Sequence, residues 1–301
     1  MLDVRRLRLL RELSIRGTIA GVAQALAYSP SAVSQQLALL ERESGATLLR
    51  RSGRNVLLTP EAERLVAHTT RILTVLEEAE SELSSSDGAT SGTVRIAAFQ
   101  SALLTIVPTA LAAMRRNHPD VRVEVVHREP GAALAETWAR EVDLVIAEEY
   151  PAHSAPHHDG LIRDELTEDR IHLAVPEGAA IASVADAAEL PWTMEPAGTA
   201  SRHFAEQLCR RAGFEPDVRY VTADLHAQLG LIASGAAVGL LPGLIWSAST
   251  APVARVPIDG ENTRRLFTAH RRGSHGNQAL AAVRAELGAA VRGEPELPPV
   301  G

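Results

Sequence analysis

One cysteine, Cys209, stands in the 301 residues. That excludes an internal disulfide framework and a cysteine-based zinc site. Lysine is absent, since all 30 residues counted as Lys+Arg are arginine, and aromatic residues make up only 3%. Arginine in place of lysine, with abundant Ala, Gly and Leu, is a composition habit of GC-rich coding and carries no function. No apolar run approaches the ~18–20 residues of a membrane helix. The opening MLDVRRLRLL lacks the apolar core and small-residue cleavage site of a secretory signal. Cytoplasmic location and no membrane partner are therefore expected. Also missing are a G-x-S-x-G elbow, a phosphate loop, a G-x-G-x-x-G turn and an H-E-x-x-H pair. These absences argue against an enzyme, and no catalytic residue, metal ligand or cofactor is assigned. His153, His157, His158 and Asp159 cluster in one stretch. A solvated connector suits them better than a metal site, because their spacing lacks order.

What is present is the composition of a folded chain, 46% hydrophobic and 22% charged, long enough for two or three domains. The net charge of −7 is unevenly spread. Residues 1–71 hold eleven Arg against six acids, about +5, which leaves about −12 for the remainder. A basic first module on an acidic body is the asymmetry of a nucleic-acid reader joined to something else.

The first 44 residues read as three short helices. Leu7, Leu10 and Leu13, with Val4 and Leu9, form an apolar stripe with Arg5, Arg8 and Arg11 set around it. Gly17 stops that helix and Thr18 caps a second, small-residue helix over 19–26. After a turn at Ala27-Tyr28, Ser29 caps and Pro30 opens a third helix. Its Val33, Leu37 and Leu40 face inward. Ser31, Ser34, Gln35 and Gln36 lie elsewhere near its start, where short polar side chains can approach base edges. Two short apolar runs around Ser52-Gly53, flanked by arginines, then make a small hairpin able to hold phosphates.

The order A-x-x-L-x-x-S-x-S-A-V-S-Q-Q-L followed by R-R-S-G-R-x-V-x-L-T, between Gly17 and Thr59, resembles the DNA-binding domain of LysR-type transcriptional regulators. That resemblance implies a winged helix-turn-helix over residues 1–59. DNA contacts would come from Thr18, Pro30, Ser31, Ser34 and Gln35, with Arg51 and Arg54 on the backbone or minor groove. Three departures are visible. Leu49 stands where the family usually has Phe, Pro60-Glu61-Ala62 where it has Gly, and Pro30 where a polar residue is common.

Thr59-Pro60 starts a long helix without a breaker until Ser84. Ala62, Val66, Thr69, Leu73, Leu76 and Leu83 recur as a seam suited to pairing with a second helix. Residues 60–92 are thus a dimerisation helix and hinge, and the family implies a dimer or tetramer. From Thr93 strands alternate with helices in an α/β pattern, expected to be mainly parallel. By resemblance, residues 93–301 form a two-lobed, periplasmic-binding-protein-like effector domain. Lobe I takes about 93–163 and 265–301, lobe II about 164–264. The fold class is α+β multidomain.

Ligands of such sheets bind at the carboxyl ends of strands. That places Phe99, Gln100, Ser101, Glu148, Glu149, Glu195, Thr199, Ser201 and Asp224 at a crevice. Convergent carboxylates favour a cationic effector, Arg202 and His203 an anionic one, and a small polar metabolite is expected. The reading is a sequence-specific DNA-binding regulator controlled by that metabolite, with double-stranded promoter DNA, a second copy and RNA polymerase as partners. A cytoplasmic solute-binding protein, or an enzyme with a fused DNA-binding module, is the alternative.

Overall fold

The computed structural model describes residues 1–52, 55–85 and 90–293. Arg54, and residues 86–89 of the expected hinge, lie outside them. Two compact units result: Met1–Asp87 with Arg272–Gly276, and Gly88–Arg271 with Asn277–Gly301.

In the first unit each helix start has a side-chain acceptor for otherwise unsatisfied amides. Asp3 accepts from Arg5 and Arg6 N–H before α1 (Val4–Arg16), and Thr18 from Gly21 N–H before α2 (Ile19–Ala25). Ser29 accepts from Ala32 N–H before α3 (Pro30–Ser44). Leu7, Leu10 and Leu13 meet Val22, Val33, Leu37, Leu40 and Leu48 in one core. Arg11 departs from the expected surface ring: it is 2% exposed, its guanidinium 3.6 Å from the Glu12 carboxylate. It sits four residues after Leu7, and so on the same buried face.

β1 (Leu49–Ser52) and β2 (Asn55–Leu58) pair antiparallel, Leu49 opposite Leu58. Glu41 fixes the approach to this hairpin by accepting from Leu48 and Leu49 N–H at 2.8 and 3.1 Å. α4 (Pro60–Ser85) follows. The expected seam divides: Ala62, Thr69 and Leu73 are buried, while Leu76 and Leu83 are exposed together with Ile72 and Val75. Residues 72, 75, 76 and 83 share one helical face.

The second unit carries β3 (Gly92–Ala98), α5 (Gln100–Leu104), α6 (Ile106–Asn117), β4 (Val121–His127), α7 (Pro130–Trp138) and β5 (Leu144–Glu149). β6 (Leu161–Pro176) precedes β7 (Pro191–Met194), α8 (Ala200–Arg211), β8 (Asp217–Val221) and α9 (Leu225–Ala233). β9 (Gly239–Pro242), β10 (Val253–Val256), β11 (Thr263–Arg271) and α10 (Gln278–Arg292) complete it. A 7-stranded sheet runs β10-β6-β11-β5-β3-β4, with β9 also on β6, and β7 pairs β8 separately.

Two sequence expectations change here. The sheet is mixed, not mainly parallel: β4-β3-β5 and β7-β8 are parallel, while β11, β9 and β10 all run antiparallel to their partners. β6 is a single 16-residue strand. Its first part pairs with β11 and its last part with β9 and β10, so the expected lobe boundary at 163–164 falls inside one strand. α5 and α6 are separate helices, broken at Thr105 (φ −123°, ψ −70°). Pro108 explains the break, because its ring clashes with the carbonyl four residues earlier and it has no N–H to offer. Lobe I packs around Ile96, Ile106, Ile146 and Leu280, and lobe II around Leu173, Trp192, Phe204 and Cys209.

Candidate nucleic-acid interface and interlobe crevice

α3 divides cleanly. Val33, Leu37 and Leu40 are buried, while Ser29, Pro30, Ser31, Ser34 and Gln35 at its start are exposed, as are Tyr28 and Thr18. Gln36 turns aside and accepts from Arg6 Nε at 3.0 Å. Thr18 serves as the α2 cap and Ser29 as the α3 cap, and the Ser29 and Ser31 hydroxyls lie 3.0 Å apart. The structure thus brings the expected base readers together on one solvent-facing turn. Arg51 lies on β1 opposite Val56. A helix start with short polar side chains, on a unit that also carries a basic hairpin, is suited to a major groove while the hairpin holds phosphates.

In the second unit three of the residues expected at the crevice, Phe99, Ser101 and Glu148, gather around a side chain that sequence reasoning missed, Arg264. It is 2% exposed at the start of β11. Its Nε and Nη2 donate to Asp169 Oδ2 at 2.8 and 2.6 Å, Nη2 also donates to Ser101 Oγ at 2.7 Å, and Nη1 to Glu148. The guanidinium lies 5.2 Å from the centre of the Phe99 ring. The remaining Asp169 oxygen accepts from Leu244 N–H at 3.0 Å. Only glycine fits at 243, where a Cβ would strike that carboxylate. Phe99 and Ser101 are buried behind the crevice wall and hold Arg264.

Burial pushes the Glu148 carboxyl up to about 7. The attraction of Arg264 opposes this, while Glu195 and Glu129 add repulsion. Burial opposes the charge of Arg264, yet Glu148 and Asp169 hold it above its ordinary range. Burial, then Glu148, raises the Tyr150 phenol. Burial also raises Glu195, against hydrogen bonds from the Ser201 and Thr199 hydroxyls. Repulsion from Glu129 thus adds to burial at both Glu148 and Glu195, and the Arg264 guanidinium is shared between Glu148 and Asp169.

Thr199 caps α8 by accepting from Arg202 N–H at 3.3 Å, with Ser201 Oγ 3.2 Å from its hydroxyl. Gln100 reaches Asp224 and Leu225 at the start of α9. The two side chains considered for an anionic ligand have local neighbours. Arg202 bonds Glu206 at 2.5 Å and the Glu195 carbonyl at 3.2 Å, and the His203 ring centre lies 5.9 Å from that of His153. Glu149, next to Glu148 but on the opposite side of the strand, pairs with Arg163 and Arg265 at 2.9 and 3.0 Å. It lines a separate cavity of about 500 Å³ with Tyr150, His153 and Glu168.

His157 lies 3.7 Å from Asp159 and His158 stacks on Trp138 at 5.5 Å. Among the described residues no three His, Cys, Asp or Glu side chains are placed to share a metal. Burial pushes the Cys209 thiol up to about 12. No helix of the described residues is long and apolar enough to cross a membrane.

Comparison with known proteins agrees with both units. Residues 4–63 match the model of the bacterial regulatory helix-turn-helix protein, lysR family, and residues 87–292 that of the LysR substrate binding domain. Among curated relatives, the transcriptional dual regulator GltC of Bacillus subtilis is 26% identical over 270 residues, 88% of this chain and 89% of that one. A full-length OxyR variant from Pseudomonas aeruginosa shares the fold with a TM-score of 0.69 at 17% identity, covering 99% of each chain. Full-length CbnR complexed with its target DNA aligns at 0.54 with 20% identity over 96% of this chain and all of that one. The chain, with a helix-turn-helix reader ahead of an effector-binding domain, belongs to the LysR family of transcriptional regulators and is not an enzyme.

Proposed function

We propose that this regulator reads promoter DNA in the cytoplasm as a homodimer or as a tetramer built of two dimers, under the control of a small polar effector. Its output would pass to RNA polymerase, and no cofactor is required. The observation that carries this is the exposed start of α3, where Ser31, Ser34 and Gln35 face solvent opposite a fully buried Val33-Leu37-Leu40 seam. A two-fold operator needs two such helices, and the exposed Ile72, Val75, Leu76 and Leu83 face of α4 is suited to supply the pairing. For the effector, Glu148 and Glu195 both feel repulsion from Glu129, and the Arg264 guanidinium is already shared by Glu148 and Asp169. That balance favours a ligand rich in hydrogen-bond donors or carrying an amine over an anion.

Gel retardation with the DNA upstream of the chain's own coding region tests the reading. Binding should weaken as salt rises. Gln35→Ala should lose discrimination of roughly 1–3 kcal/mol at one base position, whereas Arg51→Ala should weaken all DNA alike and lower the salt slope by about one. Unchanged binding in both variants sinks the assignment of the reading face.

A further inference from the structure

The first two residues of α5 are tied to two different places. Ser101 Oγ accepts from the buried Arg264. Gln100, beside it, crosses to lobe II: its Nε2 donates to Asp224 Oδ1 at 3.0 Å, and its Oε1 accepts from Leu225 N–H at 2.8 Å. One planar amide thus meets an acceptor and a donor side by side, across more than a hundred residues of sequence. The Leu225 N–H belongs to the first turn of α9, where no helix carbonyl is available to it. Asp224 Oδ1 already caps that turn by accepting from His226 and Ala227 N–H. The bond from Gln100 is the foremost cause holding the Asp224 carboxyl below its ordinary range.

The residue type fits the task. A glutamate at 100 would set a second carboxylate against Asp224, and a hydroxyl side chain is too short to span the gap. The Gln100 side chain is also separable. α5 has five residues and is cut from α6 at Thr105; Ser101 and Ala102 anchor it in lobe I while Gln100, at its first position, is part-exposed and able to swing away from α9.

We propose that Gln100 is an interlobe latch: its carboxamide clasps the start of α9 and holds the crevice closed, so that a molecule entering at the β3 and β7 ends must part it. The second half rests on the effector-crevice reading, whereas the clasp depends on the chain alone.

Amide hydrogen exchange at Leu225 in the full-length protein reads the clasp directly, and solution X-ray scattering reads the crevice width. Gln100→Ala should speed Leu225 exchange about tenfold or more, since a closed amide becomes an open one, and should widen the scattering envelope. Acetamide, which replaces the deleted group, should restore protection in a dose-dependent way that acetate does not. Gln100→Glu keeps the shape of the side chain and guards against a folding defect in the alanine variant. It should behave like Gln100→Ala near pH 8 and regain wild-type protection, compared at equal pH, as its carboxyl protonates near pH 4. Leu225 exchange unchanged in both variants overturns the latch, as does acetate protecting as well as acetamide. DNA retention by the same wild-type preparation is scored separately. Its failure would remove the regulator reading and leave the exchange result standing.

Discussion

The surface of the first unit and the interior of the second put arginine to opposite uses. In the first, Arg5, Arg8, Arg42 and Arg50 are exposed, and the excess of positive charge faces solvent. The second unit also exposes arginines such as Arg115, Arg122 and Arg211, but it buries Arg264 and Arg271 as cross-links. Arg271 donates to the Thr137 and Val142 carbonyls at 3.0 and 2.6 Å and pairs with Asp143 at 3.0 Å, much as Arg264 gathers Ser101, Glu148 and Asp169. Exposed charge acts at a distance and adds up, so counting it along a sequence already says something about partners. Buried charge acts only through its particular neighbours. Arg11, buried beside Glu12, shows that the division follows burial and not position in the chain.

The sharpest way to break this comparison is to remove the central buried cation. Arg264→Leu leaves Asp169 and Glu148 facing apolar surroundings without their shared partner. The expected loss is about 3–5 kcal/mol, the usual range for breaking one side of a buried pair. Chemical denaturation followed by a probe in the second unit measures it. The loss should shrink as pH falls through about 7, where Glu148 takes up a proton and no longer needs the guanidinium. A surface arginine such as Arg50 replaced in the same way should shift the midpoint by well under 1 kcal/mol. Equal effects would erase the distinction.

Glu148→Gln comes next. Burial raises this carboxyl from an ordinary 4.5 to about 7, so between those values the folded chain binds a proton that the unfolded chain has released. Its contribution is therefore fully present below about 4.5 and is lost as pH rises through about 7. The stability difference between wild type and Glu148→Gln should fall across that window and level off above it. His172, whose pKa burial lowers, contributes with the opposite sign in both proteins and drops out of the difference. A difference that stays flat from pH 5 to 8 would show that Arg264 keeps the carboxylate ionised throughout.

These two cases also explain what could be read in advance. The helices of the first unit were legible because their signals are local: Ser29 and Pro30 open α3, Gly45 ends it, and Val33, Leu37 and Leu40 repeat at helical spacing. The exposed start of α3 followed from the same pattern. The strand-end placement of Gln100, Glu148, Thr199 and Asp224 was legible too, since each follows or ends a strand. Arg264 was not, because it meets Glu148 and Asp169 from more than ninety residues away, and nothing in Thr-Arg-Arg-Leu marks which arginine turns inward. The continuity of β6 was hidden too. Glu165 and Glu168 are exposed within it and there is a bulge opposite Leu266-Phe267, so the alternation of a single strand is broken. The parallel expectation failed for a related reason, since the direction of β11 against β5 and β6 depends on where the chain returns after lobe II.

The smallest effect belongs to the first unit and tests its side of the comparison. Ser29 caps α3 through a 3.2 Å bond from Ala32 N–H, in the open. Water is able to satisfy that amide when the hydroxyl is lost, so Ser29→Ala should cost only about 1 kcal/mol, and the melting of the second unit should not move. The same change should weaken DNA binding more than it weakens the fold, because Pro30, Ser31 and Ser34 all sit on the turn that Ser29 holds in place. Denaturation and gel retardation on one preparation separate the two effects. A large stability loss with unaltered DNA binding would mean that this turn is structural and that the reading face lies elsewhere on the unit.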